Sequence, residues 1–104
     1  MAHGIWVVDF WQNWCPPCDK AEPVFNSLAS EMAKKYGVGV VKFARLHINK
    51  NPKIAYKKKW KTKDGAPYFA IIKDGKLEDF EWGFLNESDF KNNLNTKIQP
   101  LIGP

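Results

Sequence analysis

The sequence predicts an α/β fold in the order β-α-β-α-β-β-α, a four-stranded mixed sheet with helices on both faces. Three observations carry this expectation. Residues 5–11, Ile-Trp-Val-Val-Asp-Phe-Trp, are apolar on both alternating faces except at Asp9, the mark of a strand covered on both sides. From Cys18 the apolar period lengthens, and Ala21, Val24, Phe25, Leu28 and Met32 fall at helical spacing. In "PYFAIIKDGKLEDFEW", Asp74-Gly75 separates two apolar runs as a type I′ hairpin turn does. Alternating strands and helices imply parallel strands joined by crossovers, and the hairpin adds an antiparallel edge.

The remaining elements follow from local chemistry. Gly37 after Tyr36 is a natural helix stop, and Pro23 inside the same helix removes one backbone bond and predicts a kink. Val38 to Ile48 has strand character, with Phe43, Leu46 and Ile48 apolar between Lys42, Arg45 and His47. Asn51-Pro52 pairs a good N-cap with a good first helical residue and predicts a short helix to about Trp60. Asn86 followed by Asp89 resembles a capping box, and Phe90, Leu94 and Ile98 mark one face of a last helix.

A chain of 104 residues with 44% hydrophobic and 14% aromatic content can bury a real core, and a single domain over residues 1–104 is expected rather than a disordered chain. No apolar stretch approaches the ~20 residues of a membrane helix, so no membrane association is expected. Met-Ala-His-Gly leads directly into the first strand with no basic segment and apolar core of a signal peptide. The expected compartment is the cytoplasm, the alternative being a leader already removed.

Only two cysteines are present, Cys15 and Cys18, flanking Pro16 and Pro17. A disulfide between them closes a very small loop, where the entropic benefit is least, so a structural staple is a poor explanation. On the predicted order Cys15 lies just past the carboxyl end of the first strand and at the start of the first helix, where ligands and reactions gather in open α/β sheets. A helix N-terminus favours thiolate over thiol. A free thiol near pKa ~8.5 is only about 3% ionised at pH 7, so such a shift changes its reactivity greatly. Cys18, one turn inward, has less access to solvent, which assigns attack to Cys15 and resolution to Cys18. Asp9, in a strand buried on both sides, is costly to keep charged without a partner. It is either a base with a raised pKa that serves Cys18, or a carboxylate paired with a nearby Lys or Arg.

Together these residues resemble the thioredoxin family over nearly the whole chain. "VVDFWQNWCPPC" is similar to the family's strand and active-site loop, with Trp11 and Trp14 and an acid six residues before the first cysteine. Pro23 matches the family's helix proline. "FARLHINKNP" is similar to the next strand and turn, and puts Arg45 where a lysine usually neighbours the buried acid. "GAPYFAIIKDGK" resembles the segment holding a cis-proline, here Pro67, and Gly83 matches the glycine after the final strand. The resemblance implies a thioredoxin-like fold and a thiol-disulfide oxidoreductase reducing protein disulfides. It implies Cys15, Cys18 and Asp9 as the catalytic residues, and substrate held at Trp14, Ala66, Pro67 and Gly83. Trp11, Pro16, Pro17, Pro23 and Arg45 would support the site. No bound cofactor is implied, only an external reductase as electron donor, and the protein is expected to be a monomer.

The chain departs from the family in four respects. Pro16 replaces the glycine of the usual Cys-Gly-Pro-Cys, removing an N–H beside the thiolate. The usual first strand and helix have no counterpart, the segment before Pro67 is longer and lysine-rich, and Ala66 replaces a branched residue. Competing readings are a zinc site from Cys15, Cys18, His3 and His47, a redox-inert binding module on the same fold, and a disulfide oxidase or isomerase. Net charge is +5, and "NKNPKIAYKKKWKTK" gathers seven lysines with Tyr56 and Trp60. Nucleic-acid binding is disfavoured against a solvated helix face, and steering of acidic protein partners by Lys57, Lys58 and Lys59 is the intermediate reading.

Overall fold

The computed structural model describes residues 4–50 and 66–103. Its elements are β1 (Ile5–Trp11), α1 (Pro16–Tyr36), β2 (Val41–His47), a 3-10 turn (Ile48–Lys50), β3 (Tyr68–Lys73), β4 (Lys76–Trp82) and α2 (Glu87–Ile102). The expected helix beginning at Asn51-Pro52, with Tyr56, Trp60 and the lysines at 57–59, lies outside the described residues.

The four strands form one sheet in the order β2-β1-β3-β4. β1 pairs in parallel with β2 and antiparallel with β3, and β3 pairs antiparallel with β4. β1 is therefore an inner strand with a neighbour on each edge, and its two faces are both apolar because a buried cluster covers each of them. The predicted turn is present: Asp74 and Gly75 have φ of 52° and 82°, the double left-handed geometry of a type I′ turn. The turn also clasps the start of β1. Gly4 N donates to Asp74 Oδ1 at 3.0 Å, and Asp74 N donates to the Gly4 carbonyl at 2.9 Å.

The side-chain alternation of the strands divides the core in two. Val7, Phe69 and Ile71 pack on one face against Ala21, Phe25, Leu28 and Met32 of α1 and Phe90, Leu94 and Ile98 of α2. Both described helices thus cover the same face. Val8, Phe10, Tyr68, Ala70 and Ile72 occupy the other face with Ile48, and they too are buried.

Element ends differ slightly from the sequence reading, each for a local reason. α1 begins at Pro16 with Cys15 as N-cap, in keeping with the expected place of Cys15 at the helix start, because two prolines without N–H groups suit the first helical turn. β2 is shorter than expected at both ends, since Gly37 and Gly39 adopt positive φ before it and Ile48 turns into the 3-10 segment after it. Pro23 lies inside α1 as expected. At α2, Asn86 Oδ1 accepts from Asp89 N at 2.8 Å while its Nδ2 donates to Asp89 Oδ2 at 3.0 Å.

Two substitutions on α2 test this packing by denaturant unfolding. Leu94 is fully buried between helix and sheet, and Leu94→Ala is expected to cost about 2–5 kcal/mol. Asn86→Ala, which removes only the cap, is expected to cost about 1 kcal/mol.

Candidate functional site

β1 ends at Trp11 and α1 begins at Pro16, and the short segment between them carries both Trp14 and Cys15. Cys15 and Cys18 are joined in a disulfide with Cα atoms 5.2 Å apart. As N-cap, Cys15 Sγ accepts from Cys18 N at 3.2 Å, so the sulfur faces the unpaired end of the helix backbone. That N–H and the helix dipole stabilise negative charge on Cys15 once the bond is reduced. The two sulfurs are not equivalent in access: Cys15 is 5% exposed and Cys18 0%.

Pro67 reaches the same place from across the sheet. The Ala66–Pro67 peptide is cis, and the Ala66 carbonyl oxygen lies 3.7 Å from Cys15 Sγ. The Pro67 carbonyl accepts from Gly83 N at 2.9 Å, which ties the end of β4 to the start of β3 beside the disulfide. Gly83 has φ of 77° and a Cβ there would meet nothing within 4 Å, so backbone conformation and not space calls for glycine. Trp14 is 98% exposed and holds a φ of 57°, a left-handed conformation costing about 1–2 kcal/mol. A flat apolar ring held in solvent next to Cys15 is a surface for contact.

Asp9 lies on the helix-covered side of β1 and is completely buried. The parallel register sets it opposite Arg45, whose Nε donates to Asp9 Oδ2 at 3.0 Å. Burial pushes the carboxyl up from 3.8 to about 6, against the opposing hydrogen bond and charge of Arg45, with the Glu22 charge adding to the rise. Asp9 thus has both the raised value of the first sequence reading and the cationic partner of the second. Its Oδ1 has no hydrogen-bond partner among the described residues.

Trp11 supports this arrangement. The Arg45 guanidinium carbon lies 4.8 Å from its ring centroid, and the His47 ring meets its edge at 4.5 Å. His47 Nε2 also lies 3.3 Å from Asn13 Oδ1, joining the loop before Cys15 to the end of β2. For the zinc reading, His3 lies outside the described residues. Sequence reasoning gave no role to Asn13 or to Glu22, whose Oε1 is 3.1 Å from Arg45 Nη1. Glu22 stands four residues after Cys18 and so on a neighbouring helix position, a spacing that would have pointed to it.

Comparison with known proteins agrees with this geometry. The Thioredoxin family model matches residues 1–99. The chain is 35% identical over 97 residues to a thioredoxin of Chlorobaculum thiosulfatiphilum, covering 93% of this chain and 79% of that protein. It is 32% identical over 101 residues to a Pseudomonas aeruginosa thioredoxin, covering 93% and 82%. The structure of Fasciola hepatica thioredoxin superposes with a TM-score of 0.71 at 31% identity, over 90% of this chain and 81% of that one. A thioredoxin variant from Halobacterium salinarum shares the fold with a TM-score of 0.68 at 22% identity, over 91% and 75%.

The position of Asp9 has a consequence for stability. With a folded value of about 6 against 3.8 for the free side chain, the folded protein binds more protons than the unfolded chain between those limits. The resulting stabilisation is fully present below about pH 4 and is lost as pH rises through about 6. Relative to Asp9→Asn, the unaltered protein is expected to lose up to about 3 kcal/mol between pH 4 and pH 8. Urea unfolding of both proteins across that range measures the difference, and a flat difference contradicts it.

Proposed function

The chain belongs to the thioredoxin family of thiol-disulfide oxidoreductases, and from that membership we propose that it reduces protein disulfides, with Cys15 as nucleophile and Cys18 as resolving thiol. The observation that carries the reading is the inequality of the two sulfurs, one capping the helix N-terminus at 5% exposure, the other a turn deeper at 0%. In the reduced protein the Cys15 thiolate attacks one sulfur of a substrate disulfide. The substrate S–S bond breaks, its other sulfur leaves as a thiolate and takes a proton, and Cys15 is left in a mixed disulfide. Cys18 then loses its proton and attacks Cys15 Sγ, releasing the second substrate thiol and closing the Cys15–Cys18 bond. Two electrons and two protons pass to the substrate. An external reductase returns them.

Asp9 is the acceptor of the Cys18 proton in this reading, directly or through water. Its value near 6 supports it, because a base that must also give the proton back works best close to the ambient pH. Trp14, Ala66, Pro67 and Gly83 hold the substrate, the extended backbone of which lies beside the cis-proline while the Trp14 ring covers its apolar side chains. Trp11, Pro16, Pro17, Pro23 and Arg45 keep the loop, the helix start and the carboxyl in place. Such a reductant works in a reducing compartment, the cytoplasm, as a monomer and without a bound cofactor.

Two measurements test the proposal. Cys18→Ser is expected to accumulate a covalent mixed disulfide with a disulfide-bonded protein substrate, released by dithiothreitol, whereas Cys15→Ser traps none. A protein that binds partners without exchange would give no adduct with either. Equilibration of the unaltered protein with dithiothreitol buffers is expected to give a potential at or below about −230 mV, and a value near −120 to −180 mV would assign an oxidase or isomerase instead.

A further inference from the structure

The Arg45 guanidinium is shared. Its Nε serves Asp9 at 3.0 Å, and its Nη1 serves Glu22 at 3.1 Å. Its central carbon lies over the Trp11 ring, 4.8 Å from the centroid. A guanidinium is a rigid planar fork, so these contacts are made together, with each donor committed to one acceptor. The acceptors differ in environment. Asp9 is wholly buried, while the Glu22 side chain is 46% exposed on α1.

We propose that Glu22 is a positioning residue for the buried Asp9: by holding the far side of the Arg45 guanidinium it draws part of that charge away from Asp9 and leaves the carboxyl able to take and return a proton. The inference rests on the reading of Asp9 as proton acceptor for Cys18.

A buried carboxyl facing an unshared guanidinium is held as the carboxylate, because charge and hydrogen bond both favour the ionised form. Such a group accepts a proton poorly. Two features of the structure oppose that outcome. Asp9 Oδ1 has no partner among the described residues, so one oxygen remains open to protonation. Glu22, on the opposite side of the fork, supplies a second negative charge that competes for Arg45 and also acts on Asp9 at a distance. The charged and titratable groups around Asp9 come from β2 and α1. β2 presents Arg45 and α1 presents Glu22, β3 presents the uncharged Phe69 opposite Asp9, and on α1 Cys18 becomes titratable only in the reduced protein.

Removing Glu22 need not release Arg45, because Trp11 and the β1–β2 register still hold it over Asp9. The released share of charge then falls on Asp9. The experiment is a carbon-13 NMR titration of the Asp9 carboxyl in the intact, reduced protein, comparing Glu22→Gln and Glu22→Lys with the unaltered chain. Both variants change a half-exposed side chain, and the fold is checked in the same spectra. The midpoint is expected to fall by about 0.5 pH unit or more in Glu22→Gln, roughly a threefold weaker proton affinity, and further in Glu22→Lys. The acid limb of the pH profile of disulfide reduction is expected to move with it. An unchanged midpoint overturns the inference, and so does a rise, which would mean that Glu22 holds Arg45 onto Asp9. Asp9→Asn separates the two layers: an unaltered pH profile in that variant defeats the acceptor reading itself, while the Asp9 midpoint in the Glu22 variants still reports on Glu22.

Discussion

The constraint on which this structure turns is a carboxyl group placed in the middle of an inner strand. An isolated charge at such a depth is too costly to keep. The sheet supplies the remedy through its own register, since the parallel pairing of β1 with β2 sets Arg45 directly across from Asp9. The remedy is partial, because the guanidinium also answers to Glu22 and its second Asp9 oxygen remains unpaired among the described residues. A fully compensated ion pair would be inert. One that is under-compensated stays responsive to protons, and the cost of that imbalance is borne by the surrounding core on both faces of β1.

The second constraint is geometric. Pro16 and Pro17 start α1 immediately after Cys15, so the cysteine becomes the N-cap and its sulfur takes the place of the usual capping oxygen. Cys18 is carried one turn deeper on the same helix. The difference in setting between two chemically identical side chains thus comes from where a helix begins. The cis-proline segment and Gly83 close the site from the other side, joined by the backbone hydrogen bond from Gly83 N to the Pro67 carbonyl.

Much of this was legible in the residues. Apolar faces on both sides of residues 5–11 marked an inner strand, the Asp74-Gly75 turn marked the hairpin, and Asn86 with Asp89 marked the start of α2. The proximity of Arg45 to Asp9 was legible only through the likeness to a family, because 36 residues separate them and strand register leaves no local trace. The division of Arg45 between two carboxylates was not legible at all. It depends on the rotation of α1 over the sheet, which side-chain packing decides. The exact ends of β2 were also misjudged, since Gly39 and Ile48 read as tolerable in a strand until the turns at each end were seen.

β1 receives its two neighbours from very different distances along the chain. β2 follows within one crossover, while β3 begins at Tyr68 and its turn reaches back to Gly4 across 70 residues. During synthesis from the N-terminus, β1, α1 and β2 exist before β3 does. Until β3 arrives, one margin of β1 from Ile5 to Phe10 is an open row of backbone donors and acceptors flanked by apolar side chains, the kind of edge that pairs with foreign strands. The strand that carries the buried acid is therefore also a segment in need of protection while the chain is unfinished.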